Sequence, residues 1–158
     1  MKIVAFLFLL SSCSIFFGSP EKPKSAKGKA YTIRFAKPGW AYQINNKSDY
    51  VFEKSNGQVL LANSFCEEFQ TEPLERLAEK TFVGVKNFKS IHKEYTTFQN
   101  REAYKLDGVG SVDGVDVYLK IVNTRRDHCY YDFLFISPKK EKVNPEDFSD
   151  FLKTVVFP

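Results

Sequence analysis

The chain has 158 residues, enough for one domain with a proper core and too few for two ordinary ones. A hydrophobic share of 43% against 27% charged excludes a disordered chain, and 16 Phe and 8 Tyr beside a single Met favour strands over a helical bundle. The net charge of +4 invites a nucleic-acid reading, but five basic residues (Lys2, Lys22, Lys24, Lys27, Lys29) and one acid (Glu21) precede Tyr31; from there on the chain carries 18 residues of each sign, and no nucleic-acid partner is expected.

Lys2 precedes the apolar run Ile3 to Leu10, and Ser11-Ser12-Cys13 follows directly. A membrane span needs about 20 apolar residues, so residues 1–12 are expected to be a signal peptide. Small residues just before Cys13 resemble the lipobox of bacterial lipoproteins. That resemblance implies that the Cys13 thiol takes diacylglycerol, becomes the new N-terminus and anchors the chain to the envelope. Ser12 stands where the pattern more often has Gly or Ala, and Ile15-Phe16-Phe17 stays apolar beyond Cys13. Cleavage after Ser14, or retention of the segment as an anchor, therefore stays open; each exports the chain. No Asp follows Cys13, which by the same resemblance implies sorting to the outer membrane, facing the periplasm. Residues 13–30 run from the lipidated Cys through Gly, Ser, Pro and Lys with little to bury, which predicts a flexible tether. Its four lysines either lie against anionic headgroups, at about 1 kcal/mol each, or serve as a solvated spacer.

Residues 31–158 are expected to form one globular domain. Tyr31 to Phe35 alternates and reads as a strand closed by Lys37-Pro38-Gly39, with Trp40 to Ile44 and Tyr50 to Glu53 as the next two. Gln58 to Phe65 reads as a mostly buried fourth strand. Thr71 is the candidate N-cap of a helix whose Leu74, Leu77, Ala78 and Phe82 share one face, with Glu72 and Arg76 spaced to pair. Phe88 to Thr97 and Glu102 to Val112 are further strands, the second leading into Asp113-Gly114, a type I′ hairpin signal. A two-residue loop there sets Gly110 against Val117, Gly108 against Leu119 and Asp107 against Lys120. The glycines then mark a face that a helix or a ligand approaches closely. Cys129 to Ser137 is apolar on both sides, as a central strand requires, and Asn144-Pro145 opens a last helix with Phe148, Phe151, Leu152 and Val155 inward. The order of elements predicts an α+β fold, an antiparallel sheet packed with two main helices.

Pro38-Gly39-Trp40, the Leu74-x-x-Leu77-Ala78 helix, the long Asp-Gly hairpin and the exit through Phe148, Phe151, Leu152 and Phe157 resemble the PsbP-like family, over roughly Tyr31 to Pro158. That superfamily holds the extrinsic oxygen-evolving protein, the Ran-binding nuclear import factor and DcrB-like bacterial lipoproteins. The resemblance implies an α/β/α sandwich used for binding or assembly, and carries no active-site residue.

With Cys13 assigned to the lipobox, Cys66 and Cys129 are expected to form a disulfide in an oxidising compartment, worth about 4 kcal/mol by loop closure; two separate thiols are the other reading. A zinc site would need His128 beside Cys129 with His92 and Cys66, yet neighbours on a strand point to opposite faces, so no metal or cofactor is expected. Neither His lies in a nucleophile motif, and Asp107, Asp113 and Asp116 lack calcium-loop spacing. Arg125-Arg126, Lys139-Lys140 and Lys142 would make a basic end with Tyr130 and Tyr131 nearby. Trp40, Tyr42 and Tyr50 are the candidate partner-binding residues, because aromatics concentrate binding energy at interfaces. The expected function is a lipid-anchored, non-catalytic module that binds another envelope protein; the alternative is a small-ligand carrier with a pocket between sheet and helix.

Overall fold

The computed structural model describes residues 31–44, 47–66 and 71–158, so the expected signal peptide, Cys13 and the expected tether lie outside the described residues. The chain runs β1 (Thr32–Ile33), β2 (Ala41–Gln43), β3 (Tyr50–Glu53), β4 (Val59–Cys66), α1 (Leu74–Thr81), β5 (Lys86–Phe98), β6 (Arg101–Val112), β7 (Val115–Arg126), β8 (Cys129–Pro138), α2 (Pro145–Lys153) and β9 (Val155–Val156). Seven strands form an antiparallel sheet in the order β2-β3-β4-β8-β7-β6-β5, and β1 pairs with β9 in a separate ribbon. The α+β architecture is the expected one.

Asp113 and Gly114 both adopt left-handed φ, 50° and 82°, which twists the turn to suit the two strands it joins. The register follows as expected: Val112 faces Val115, Gly110 faces Val117, Gly108 faces Leu119 and Leu106 faces Ile121. The doubly apolar β8 sits at the middle of the sheet because each of its faces has a layer to meet. On one face α1 lays Leu74, Leu77, Ala78 and Phe82 over Leu106, Leu119, Ile121 and Leu134. On the other, α2 and the β1–β9 ribbon lay Phe148, Phe151, Val155 and Phe35 over Phe52, Leu60, Phe133 and Phe135. Each such side chain, once fully buried, contributes about 1.5–3 kcal/mol.

Four local expectations need correction. The strand expected over Tyr31 to Phe35 narrows to Thr32–Ile33, because among the described residues its strand partner is the two-residue β9. Val155, expected on the inner stripe of the last helix, leaves that helix to pair with Ile33. Thr71 does not cap α1: extended Pro73 (ψ 145°) occupies the cap position without a side-chain hydrogen bond, so the helix starts where proline's fixed φ permits. Glu72 pairs with Lys80 at 2.6 Å rather than with Arg76. The start of α2 is as expected, with the Asn144 carboxamide oxygen accepting from the Glu146 amide at 3.0 Å and Pro145 in the first turn.

Candidate functional site

Cys66 and Cys129 are direct cross-strand partners on β4 and β8 and form the expected disulfide, which joins positions 63 apart in sequence. It staples the centre of the sheet at one end of its strands.

The glycine face is closed by the chain itself. A Cβ placed on Gly108 would come within 2.4 Å of the Phe88 ring, and one on Gly110 within 2.3 Å of Val85 Cγ1. The two glycines admit Val85, at the end of the α1–β5 connection, and Phe88, near the start of β5, not a ligand. The expected basic end also divides. Arg125 and Arg126 close β7, next to the start of β8, whereas Lys139, Lys140 and Lys142 follow its far end, a full strand away. Tyr130 and Tyr131 are buried and offer no surface. His92 lies beside Glu94 at 3.2 Å on β5. Among the described residues, no three His, Cys, Asp or Glu side chains cluster closely enough to hold a metal ion.

Trp40, Tyr42 and Tyr50 part company. Trp40 packs edge-on against Phe35, and the Lys54 ammonium sits 4.8 Å above its ring. Tyr50 packs edge-on against Tyr31 beside the core. Tyr42 is 55% exposed with only its inner side on Phe52, and Ile44, which sequence reasoning passed over, is 92% exposed. The signal for Ile44 was its parity with Trp40 and Tyr42. Since β2 is one of the two edge strands of the sheet, its three exposed residues flank an open backbone edge.

This corner is held by charge. Asp147, in the first turn of α2 and only 1% exposed, takes Lys37 at 2.8 Å and Lys54 at 2.5 Å. Burial by itself raises its carboxyl, but hydrogen bonds from the two lysines outweigh that and hold it below the usual range. The ammonium that lies over Trp40 is thus the one that grips α2, which fixes the ring and the base of β2.

A second concavity lies where α2 leaves β5, β6 and β7 uncovered. It encloses about 270 Å³ between Phe98, Val122, Phe148 and Leu152, with Lys105 and Lys120 on its wall. Both lysines have acidic partners, Glu94 at 3.5 Å and Asp107 at 3.7 Å.

No family model and no curated protein matches the chain. Solved structures do. The solution structure of cyanobacterial PsbP from Synechocystis superposes with a TM-score of 0.56 at 12% identity, covering 81% of this chain and 86% of that one. The fold is PsbP-like. LpqN of Mycobacterium tuberculosis, described as involved in cell envelope biogenesis, gives a TM-score of 0.58 at 10% identity, with 90% of this chain and 88% of that one covered. A Bacteroides thetaiotaomicron protein gives 0.57 at 7% identity over 81% of this chain, which spans 45% of its length. At these identities the PsbP-like resemblance concerns the fold alone. Among the described residues no helix is long and apolar enough to cross a membrane.

Proposed function

We propose that the chain is an exported, lipid-anchored envelope module: Cys13 tethers it, residues 13–30 give it reach, and the β2 edge of its sheet binds another envelope protein without catalysing a reaction. The observation that carries the binding surface is the combination of Tyr42 on edge strand β2 and Ile44 just beyond its end, both exposed, with a glycine face that the chain's own side chains fill. Apolar side chains along an open strand edge suit a partner that adds a strand, since main-chain hydrogen bonds supply affinity and the flanking side chains supply choice. The envelope assignment draws on the lipobox pattern and on the described role of LpqN.

The test is photocrosslinking in whole cells from a probe at Gln43, compared with Tyr42→Ala and Ile44→Lys variants. Loss of the same crosslinked protein in both variants, with folding unchanged, supports the reading; an unchanged crosslinking pattern overturns it. The concavity beside α2 favours the carrier as a second reading, and Leu152→Trp, which would fill it, should then abolish a ligand seen by native mass spectrometry.

A further inference from the structure

Beneath α1 the sheet is not wholly apolar. Asn123 on β7 and Asp132 on β8 face each other directly across the strand pair, and both are shut off from solvent, at 0% and 2% exposed. Asn123 commits its two amide hydrogens to the Leu74 carbonyl at 2.9 Å and the Tyr130 hydroxyl at 3.0 Å. The Thr81 hydroxyl reaches Asp132 Oδ2 at 3.3 Å. Leu74 and Thr81 are the first and last residues of α1, so this cross-strand pair holds both ends of the helix.

Two acceptors are left without a donor, Asn123 Oδ1 and Asp132 Oδ1. Two unpartnered acceptors on cross-strand neighbours call for a shared proton, and a buried carboxylate without a cation is among the most costly groups to enclose. Among the described residues, the groups packed around Asp132 supply no such cation. From its own strand comes Tyr130, from β7 Asn123, from β4 Asn63 opposite, and from α1 Thr81. Glu75 of α1 accepts from the Tyr104 hydroxyl, while Glu79 pairs with Lys93 of β5 at the exposed rim.

We propose that Asp132 is protonated in the closed domain, that its hydrogen is donated to Asn123 Oδ1, and that loss of this proton releases α1 from the sheet. Protonation gives both orphaned oxygens a partner in one step, and on deprotonation the hydrogen passes to water. With α1 released, Leu74, Leu77 and Phe82 become available as a second apolar surface. The latch stands on its own and does not depend on the envelope reading.

Burial pushes the Asp132 carboxyl up from 3.8 to about 7, against hydrogen bonds from Tyr130 and Thr81 that pull it down. The folded value lies above the unfolded one, so the stabilisation is complete below the unfolded value and is lost as pH rises. Opening therefore becomes about tenfold easier per pH unit from roughly 4 to 7, and levels off beyond.

The test follows the wild-type carboxyl carbon of Asp132 by NMR and measures urea unfolding of wild type and Asp132→Asn from about pH 5 to 7. A carboxyl that titrates near neutrality supports the latch, as does a roughly fiftyfold rise in the wild-type unfolding constant across that range that Asp132→Asn lacks. A carboxyl already ionised at the acid end, or parallel profiles for the two proteins, overturns it. Should Asp132→Asn fail to fold, the wild-type titration decides alone. Hydrogen exchange assigns the moving part: Leu77 and Ala78 amides must lose protection ahead of those of β8, and equal loss in both overturns the release of α1.

Discussion

Gly108→Ala tests whether the hairpin's glycine face is filled by the protein itself. The added methyl would lie 2.4 Å and 2.6 Å from two atoms of the Phe88 ring and 2.8 Å from the Lys89 carbonyl oxygen. The ring has little freedom to move aside, since it packs on Phe82 with centroids 5.0 Å apart, and the carbonyl belongs to the irregular opening of β5. Overpacking of this kind costs about 1–3 kcal/mol, while alanine's smaller unfolded-state entropy returns about 0.4–1 kcal/mol. The net expectation is a loss of roughly 1–2 kcal/mol, read as a lower urea midpoint by the fluorescence of Trp40. Gly84→Ala is the control, because its methyl meets nothing within 4 Å and its φ is not left-handed; it should be neutral or slightly stabilising. In a Phe88→Leu background the Gly108→Ala penalty should shrink, since the ring makes the closest contacts. If Gly108→Ala proves as stable as Gly84→Ala, the face is open and the ligand reading of the glycines returns.

Removing the disulfide with Cys66→Ala and Cys129→Ala together should lower urea stability by about 4 kcal/mol through loss of loop closure; a change under about 1 kcal/mol would refute that account. Asp147→Asn should cost around 2 kcal/mol, below the usual ~3–5 kcal/mol for breaking a buried pair because Lys37 and Lys54 stay partly hydrated. Since the Asp147 carboxyl is held low, its stabilisation is present above about pH 4 and lost as pH falls further, so the variant should show a shallower acid-unfolding profile than wild type. Cys13→Ala should move the protein from the membrane to the soluble fraction on cell fractionation, and unchanged membrane association would remove the lipobox reading.

The hairpin was the most legible element, because Asp113-Gly114 permits one turn type and a two-residue turn permits one register. Cys66 and Cys129 were legible for a similar reason, each lying at the end of an apolar run. The β1–β9 ribbon was not, since two residues such as Val155-Val156 have no periodicity, and only the aromatic layer beneath decides that they leave the helix. The start of α1 was misplaced because Thr71 has good capping chemistry, but Pro73 governs the backbone. Of the candidate site, Tyr42 was visible as an aromatic, whereas Ile44 needed the knowledge that β2 lies at the edge. Asp132 was hidden in a run that is otherwise apolar on both faces, and only the cross-strand partner Asn123 reveals its surroundings.

Tyr31 stands where the fold meets the segment that leads to Cys13. Its ring is lodged among Tyr50, Tyr131, Phe133 and Phe157 at centroid distances of 5.4 to 6.0 Å, and its hydroxyl donates to Asp49 at 2.9 Å. The backbone there is held by the two-residue β1–β9 pairing and by the Arg34 amide, which donates to the Thr154 carbonyl at 3.4 Å. Tension along the N-terminal segment therefore enters the domain as a pull on a plug seated in a socket. The force it withstands is set by how the rings interlock, and two of those rings, Tyr131 and Phe133, belong to β8, the strand that the disulfide staples to β4.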